Sequence, residues 1–283
     1  MVLIDFSQIA LSNIFMQNLT DENMIRHMIL NSLRMYNKKH RNEYGQMVIC
    51  VDSSSWRKKY FPQYKANRKT GRDTSTLDWD EIFRIINQLV EDLRNNFPYK
   101  VVKVDGAEAD DIIGALVMNT QEFGRHEPVM IISADKDFAQ LQRYDNVKQW
   151  SPIQKKAVVE KNPRKFLFEH IIRGDKSDGV PNVLSPDNSL VENLRQSPIT
   201  QKKIDTWLES FDSLDTVMDS ETYRNYMRNK KMIDLHEMPA ELQEQIINTY
   251  DSAKPAMKMK VLNYLIKHRC KQLIECIEEF YCD

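Results

Sequence analysis

Short apolar runs that each stop at or near an aspartate, separated by longer amphipathic stretches, constrain this chain more than any other feature. Val2-Leu3-Ile4 runs into Asp5, Met47 to Val51 into Asp52, and Val101 to Val104 into Asp105, while Val129 to Ile132 lies just before Asp135. Such runs read as strands buried on both faces. The stretches between them carry helical spacing: Asn23 to Tyr44, Trp79 to Asn95 with Ile82, Ile85, Ile86, Leu89 and Leu93, and Ala107 to Met118 with Ile112, Ile113, Leu116 and Val117. This alternation predicts an α/β domain with a mostly parallel central sheet flanked by helices, and Val147 to Ser151 adds a further strand. The domain is placed at residues 1–155. Beyond residue 160 strand signals stop, and helices are expected at Arg164 to Ile172, Thr200 to Phe211, Thr222 to Met232, Ala240 to Tyr250 and Met257 to Phe280. Residues 156–283 therefore read as a helical domain. Leu262, Leu265, Ile266, Leu273, Ile277 and Phe280 fit helix-packing core on their periodicity.

Composition removes several classes of function. Glycine is scarce, 7 in 283, and neither a dinucleotide-binding G-x-G-x-x-G nor a phosphate-binding P-loop is present. Cys50, Cys270, Cys276 and Cys282 form no C-x-x-C pair, so zinc and redox centres are disfavoured and reduced thiols are expected. Asp5 interrupts the apolar start at once, no secretory signal follows, and an intracellular protein without membrane spans is expected.

In a parallel sheet the carboxyl ends of the strands share one edge, where ligands bind. Asp5, Asp52 and Asp135 fall at or just beyond such ends; Glu108, Asp110 and Asp111 open the helix after the third strand, and Asp137 follows Asp135 by two residues. Any one of these acids is explained as a helix cap, but the set is not. Carboxylates gathered in one crevice raise one another's pKa unless a cation joins them, and oxygen ligands without His or Cys suit Mg²⁺ or Mn²⁺. Phosphodiester hydrolysis fits such a nest. An aspartyl-phosphate phosphatase is the weaker reading, because the place two residues after Asp5 is Ser7.

The net charge of −1 conceals a local asymmetry. Arg57, Lys58, Lys59, Lys65, Arg68, Lys69 and Arg72 crowd the segment between Asp52 and Leu77 against the single acid Asp73, interleaved with Trp56, Tyr60, Phe61 and Tyr64. Cations for phosphates beside flat rings for bases suit a nucleic-acid strand.

LIDFSQIAL at Leu3 to Leu11, YKANRK at Tyr64 to Lys69, EADD at Glu108 to Asp111, SADKDFAQL at Ser133 to Leu141, VKQWSP at Val147 to Pro152 and GDKSDGVPNV at Gly174 to Val183 together resemble the 5′ nuclease superfamily of flap endonucleases and polymerase-associated 5′ exonucleases, and within it the ribonuclease H group of T-even phages. The resemblance implies a PIN-like fold with a basic arch at residues 54–76 and two metal positions, one involving Asp5, Asp52 and Asp110, the other Asp111, Asp135 and Asp137, with Glu108, Asp175 and Asp178 close by or acting through water. It makes Asp110 part of the catalytic set, assigns Lys65 and Arg68 to the scissile phosphate, and gives Arg57, Lys58, Tyr64, Lys69 and Arg72 to the substrate strand. Gly174 to Val183 resembles the start of a helix-three-turn-helix that grips duplex backbone and holds K⁺, but the glycine-rich continuation is replaced by NVLSPDNSLVENLRQSPITQKK, so the motif is degenerate and K⁺ lacks support from the residues. Lys202 and Lys203 remain as phosphate contacts.

The resemblance thus implies a monomeric 5′-3′ exonuclease and flap endonuclease working with two Mg²⁺ ions, Mn²⁺ substituting. Its substrates are forked, flapped or nicked DNA and RNA-DNA duplexes, met in a phage-infected host cytoplasm during replication, beside a single-strand-binding protein or sliding clamp. The competing readings are a catalytically inactive branched-DNA binding protein and a small-substrate phosphohydrolase.

Overall fold

A computed structural model describes residues 1–16, 21–68 and 77–281. Six strands, β1 (Val2–Asp5), β2 (Met47–Cys50), β3 (Lys100–Val102), β4 (Val129–Ile132), β5 (Val147–Ser151) and β6 (Lys156–Val158), form one sheet in the order β3-β2-β1-β4-β5-β6. The first five are parallel and β6 closes one edge antiparallel to β5. Every residue of β1, β2 and β4 is buried, which is why these runs are apolar without alternation. Register is pinned at the centre by Val2 opposite both Met47 and Met130, and Asp5 is paired with Cys50.

The early helices begin and end on chemistry visible in the residues. Helix α1 (Phe6–Met16) follows β1 directly. Helix α2 (Glu22–Tyr44) is capped by Asp21, whose side chain accepts from the Met24 amide, and stops at Gly45 with φ 77°. Helix α3 (Trp79–Asn96) is capped by Asp78 and buries Ile82, Ile85, Ile86, Leu89, Val90 and Leu93. Helix α4 (Ala109–Asn119) starts in a capping box between Glu108 and Asp111.

The chain divides into two compact units that are not consecutive in sequence: residues 1–54, 78–159 and 240–283 form the first, and residues 55–77 with 160–239 the second. The division differs from a boundary near residue 155 at both ends of the helical region. After α5 (Pro163–Arg173), α6 (Gln201–Glu209) and α7 (Ser220–Ile233), the last segment, with α8 (Ala240–Ser252) and α9 (Lys258–Lys267), packs into the sheet unit. Tyr264 ties it there, donating its hydroxyl to Asp92 at 2.7 Å and accepting from the buried Arg26 at 3.0 Å. Asn37 of α2 adds bonds of 2.9 Å to the carbonyls of Glu279 and Tyr281. The single helix expected over Met257 to Phe280 is broken: Arg269 takes φ 55°, and the amide of Cys270 bonds back to the Leu265 carbonyl at 2.9 Å in a Schellman-type stop. A one-turn helix (Lys271–Ile274) and a 3₁₀ turn (Ile277–Phe280) follow.

In the second unit, Pro163–Arg173, Gln201–Glu209 and Ser220–Ile233 are the main helices. Their core includes Phe168, Ile171, Ile204, Trp207 and Tyr226, and it is completed by Phe61 and Tyr64 from the basic segment.

Candidate metal centre and nucleic-acid interface

Strand order reverses between β1 and β4, so the carboxyl edge opens a crevice there. Asp5 ends β1 and is 7% exposed. Its Oδ1 accepts the Gln8 amide at 3.1 Å and its Oδ2 the Ser133 hydroxyl at 3.0 Å. Ser133, just past β4, also accepts the Asp135 amide at 3.1 Å, and Asp135 in turn accepts the Asp137 amide at 2.9 Å. From β5, Gln149 donates to the carbonyls of Ser133 at 3.0 Å and Asp135 at 2.7 Å. A hydrogen-bonded chain thus fixes Asp135 and Asp137 beyond β4, with Asp5 beside Ser133. Ser133, Gln149 and Gln8 were missed as positioning residues. The signal available for them was their place inside SADKDFAQL, VKQWSP and LIDFSQIAL.

Across β2, Asp52 accepts the Ala109 amide at 2.9 Å and so secures the first turn of α4. That turn carries half-buried Asp110 and fully buried Asp111, whose carboxylate accepts the Glu108 amide at 2.9 Å. Burial pushes the Asp5 carboxyl up to about 7, and the negative charge of Asp52 and then of Asp135 adds to it against the hydrogen bonds from Gln8 and Ser133. Cys50, buried next to them, is likewise raised by burial, then by Asp5 and Asp52, and stays a thiol. Donors that are all carboxylate oxygens, one of them pushed toward its neutral form by burial and then by its acidic neighbours, fit a hard divalent cation.

Asp175 and Asp178 belong to the second unit. Asp175 is 3% exposed and caps its own turn, its Oδ1 accepting from the Ser177 amide at 2.8 Å and the Asp178 amide at 3.2 Å, with His170 Nε2 3.1 Å from Oδ2. Asp178 holds the YKANRK segment. Its side chain accepts the Tyr64 hydroxyl at 3.0 Å and Arg68 at 2.7 Å, Lys65 Nζ lies at 3.4 Å, and its carbonyl accepts the Lys65 amide at 2.7 Å. The approach requires Gly179: at φ +74° a Cβ there would meet the Gln63 carbonyl at 2.8 Å.

Three of the four aromatic rings of the basic segment are not offered for stacking. Trp56, Phe61 and Tyr64 are buried, and Arg57, 2% exposed, donates to the Met232 carbonyl at 2.8 Å. These residues, Arg57 and Tyr64 included, serve the core of the second unit, because a short basic segment without apolar runs of its own docks through its rings. Tyr60 stays exposed, with Lys231 Nζ 3.6 Å from its ring centre. Lys58 and Arg68 are exposed; Lys69 and Arg72 lie outside the described residues. Lys202 and Lys203 are exposed in the first turn of Gln201–Glu209.

Residues 1–168 match the family "5′-3′ exonuclease, N-terminal resolvase-like domain", and residues 164–280 match "T4 RNase H, C terminal". Ribonuclease H of Enterobacteria phage T4 is 34% identical over 292 residues, covering 98% of this chain and 95% of that protein. Flap endonuclease Xni of Shewanella sp. (strain MR-4) is 27% identical over 154 residues, 51% of this chain and 54% of its own. Among solved structures, a bacteriophage T5 flap endonuclease complex with DNA and metal ions has the same fold at a TM-score of 0.62 and 16% identity, covering 89% of this chain and 99% of that one.

Proposed function

Because this chain belongs to the 5′-3′ exonuclease family of 5′ nucleases, we propose that it hydrolyses phosphodiesters near the 5′ ends of strands in forked, flapped or nicked DNA and RNA-DNA duplexes, and so removes primers or flaps during replication. The observation that carries the reading is the sheet-edge cluster, where Asp5 is pushed up to about 7 by burial and by the charge of Asp52 and Asp135. Asp5, Asp52 and Asp110 would hold one divalent ion and Asp111, Asp135 and Asp137 a second, with Glu108 behind them, and Mg²⁺ is the ion such oxygen ligands take from the cell. Two such ions supply the Lewis acidity that in-line attack of water at phosphorus requires.

The remaining roles fall to the chain's own residues. Ser133 and Gln149 fix the loop that bears Asp135 and Asp137, and Asp52 fixes the turn that bears Asp110. Lys65 and Arg68 stabilise charge on the transferring phosphate, as fixed cations do, and Asp178 sets their positions before substrate arrives. Water adds across the P–O3′ bond, leaving a 5′-phosphate on one product and a 3′-hydroxyl on the other. Lys202 and Lys203 contact duplex phosphates. Cations are disfavoured by the helix dipole at an N-terminal turn, so an anion there explains their place better than capping does.

A 5′-labelled forked duplex, incubated with wild type and Asp110→Asn with and without Mg²⁺, tests the reading. Cleavage is expected from wild type with Mg²⁺ alone. Intact substrate under every condition would overturn it, and metal-independent binding without cleavage would make the protein an inactive branched-DNA binder.

A further inference from the structure

Helix α9 carries apolar residues on more than one side. Val261, Tyr264 and Leu265 are buried in the sheet unit. Met259, Leu262 and Ile266 are exposed at 79%, 38% and 57%, with Met257 just ahead of the helix at 74%. At about 100° per residue, the i, i+3, i+7 spacing gathers those three within an arc of about 60°, away from the buried side. A helix that serves only its own core carries polar residues there.

The segment that carries this stripe has charges of one sign. From Ser252 to Ile274 the chain contains Lys254, Lys258, Lys260, Lys267, Arg269 and Lys271 and not one Asp or Glu. On the helix, Lys260 and Lys267 flank the stripe on one side and Lys258 on the other. A nucleic-acid backbone would use the cations and leave the Met-Leu-Ile stripe without purpose. A second copy packed face to face would bring lysines against lysines, since a two-fold contact repeats the same patch.

We propose that this face docks an acidic, apolar-bearing peptide segment of a partner protein, laid along α9. Apolar side chains of the segment cover Met257, Met259, Leu262 and Ile266, and its carboxylates meet the lysine rim. Two methionines at the exposed end suit such a surface, because flexible thioether side chains adapt to more than one apolar outline. An amphipathic segment on an apolar stripe with charged borders is an established mode of recognition.

The test is fluorescence anisotropy with a fluorescein-labelled peptide of Asp, Glu, Leu and Phe, the apolar residues set at i, i+3, i+7, beside a control of equal charge in which Ser replaces Leu and Phe. The proposal expects wild type to bind the first peptide at least about tenfold tighter than the control. Met259→Ser/Leu262→Ser/Ile266→Ser should erase the difference, and Lys260→Gln/Lys267→Gln should weaken both peptides and flatten their salt dependence. All substitutions are on exposed positions, so melting temperature and cleavage of a forked duplex are expected to stay at wild-type values, which separates this claim from the nuclease assignment. Equal binding of the two peptides, or an unaffected triple-Ser variant, would overturn the proposal. So would dimers in sedimentation that vanish in the triple-Ser variant, which would make a second copy the occupant. One-for-one displacement of the peptide by forked DNA would give the face to nucleic acid.

Discussion

The two acidic regions of this protein solve opposite problems. At the sheet edge, the charges that shift Asp5 are other acids, Asp52 and Asp135, and the carboxyl is driven up to about 7. In the second unit, Asp178 meets Lys65, Arg68 and the Tyr64 hydroxyl, so that one acid organises two cations. Like charges held together by fixed backbone bonds are an unfavourable arrangement in the bare protein, maintained for what binds there. Opposite charges around one carboxylate are complete in themselves. Under the proposed function, the difference fits metal binding at the first region and the positioning of phosphate-facing cations at the second.

Removing a sheet-edge acid should have the largest effect. Asp110→Asn should lower single-turnover cleavage of a forked duplex by roughly a thousandfold or more, the scale of losing a group that acts only on the transition state. Gel-shift affinity in the absence of metal should stay the same or improve, since a negative charge beside phosphate is gone.

Asp5→Asn should abolish cleavage and, without metal, stabilise the fold. The carboxyl shifts from 3.8 to about 7 on folding. The folded state therefore holds a proton more tightly than the unfolded chain, and stability is complete below the lower value and lost as pH rises through the upper one. The neutral amide escapes this, with a gain at pH 8 on the order of 4 kcal/mol at about 1.4 kcal/mol per pKa unit. Denaturant melts at pH 5 and pH 8 check it: the variant's advantage should be far larger at the higher pH, and a constant difference would place the shift elsewhere.

On the second region, Lys65→Ala should slow cleavage of bound substrate by roughly a hundredfold while weakening binding far less. Equal rates in single turnover would reject its role. Asp178→Asn should have the smallest effect, a loss of about 1–2 kcal/mol in stability as the charge-assisted bonds to Lys65 and Arg68 weaken, together with a slower chemical step that higher substrate concentration does not restore.

The sheet and its acids were legible because a strand buried on both faces is a continuous apolar run, and the residue that ends it reaches the ligand edge. The buried Ser133 and Gln149 left only their place inside SADKDFAQL and VKQWSP, since a serine or glutamine that positions a loop shows no role until its partners are known. The rings of Trp56, Phe61 and Tyr64 misled for a related reason: an aromatic next to lysine suits a stacking platform and a core equally, and only packing decides. Periodicity showed that residues 240–283 are helical but not which unit they join, and it missed the break at Arg269, where no glycine or proline marks the left-handed turn. Leu262 and Ile266 read as core and are exposed, because a stripe reports apolarity and not what covers it.

Titration calorimetry with Mn²⁺ tests the central claim without requiring turnover. Wild type should bind divalent ions with an affinity that rises with pH across 7, as Asp5 gives up its proton. Asp5→Asn and Asp135→Asn should each bind far more weakly, and Asp178→Asn should bind close to wild type. No binding by wild type, or binding unchanged by the two sheet-edge substitutions, would contradict the assignment of the metal centre to that edge.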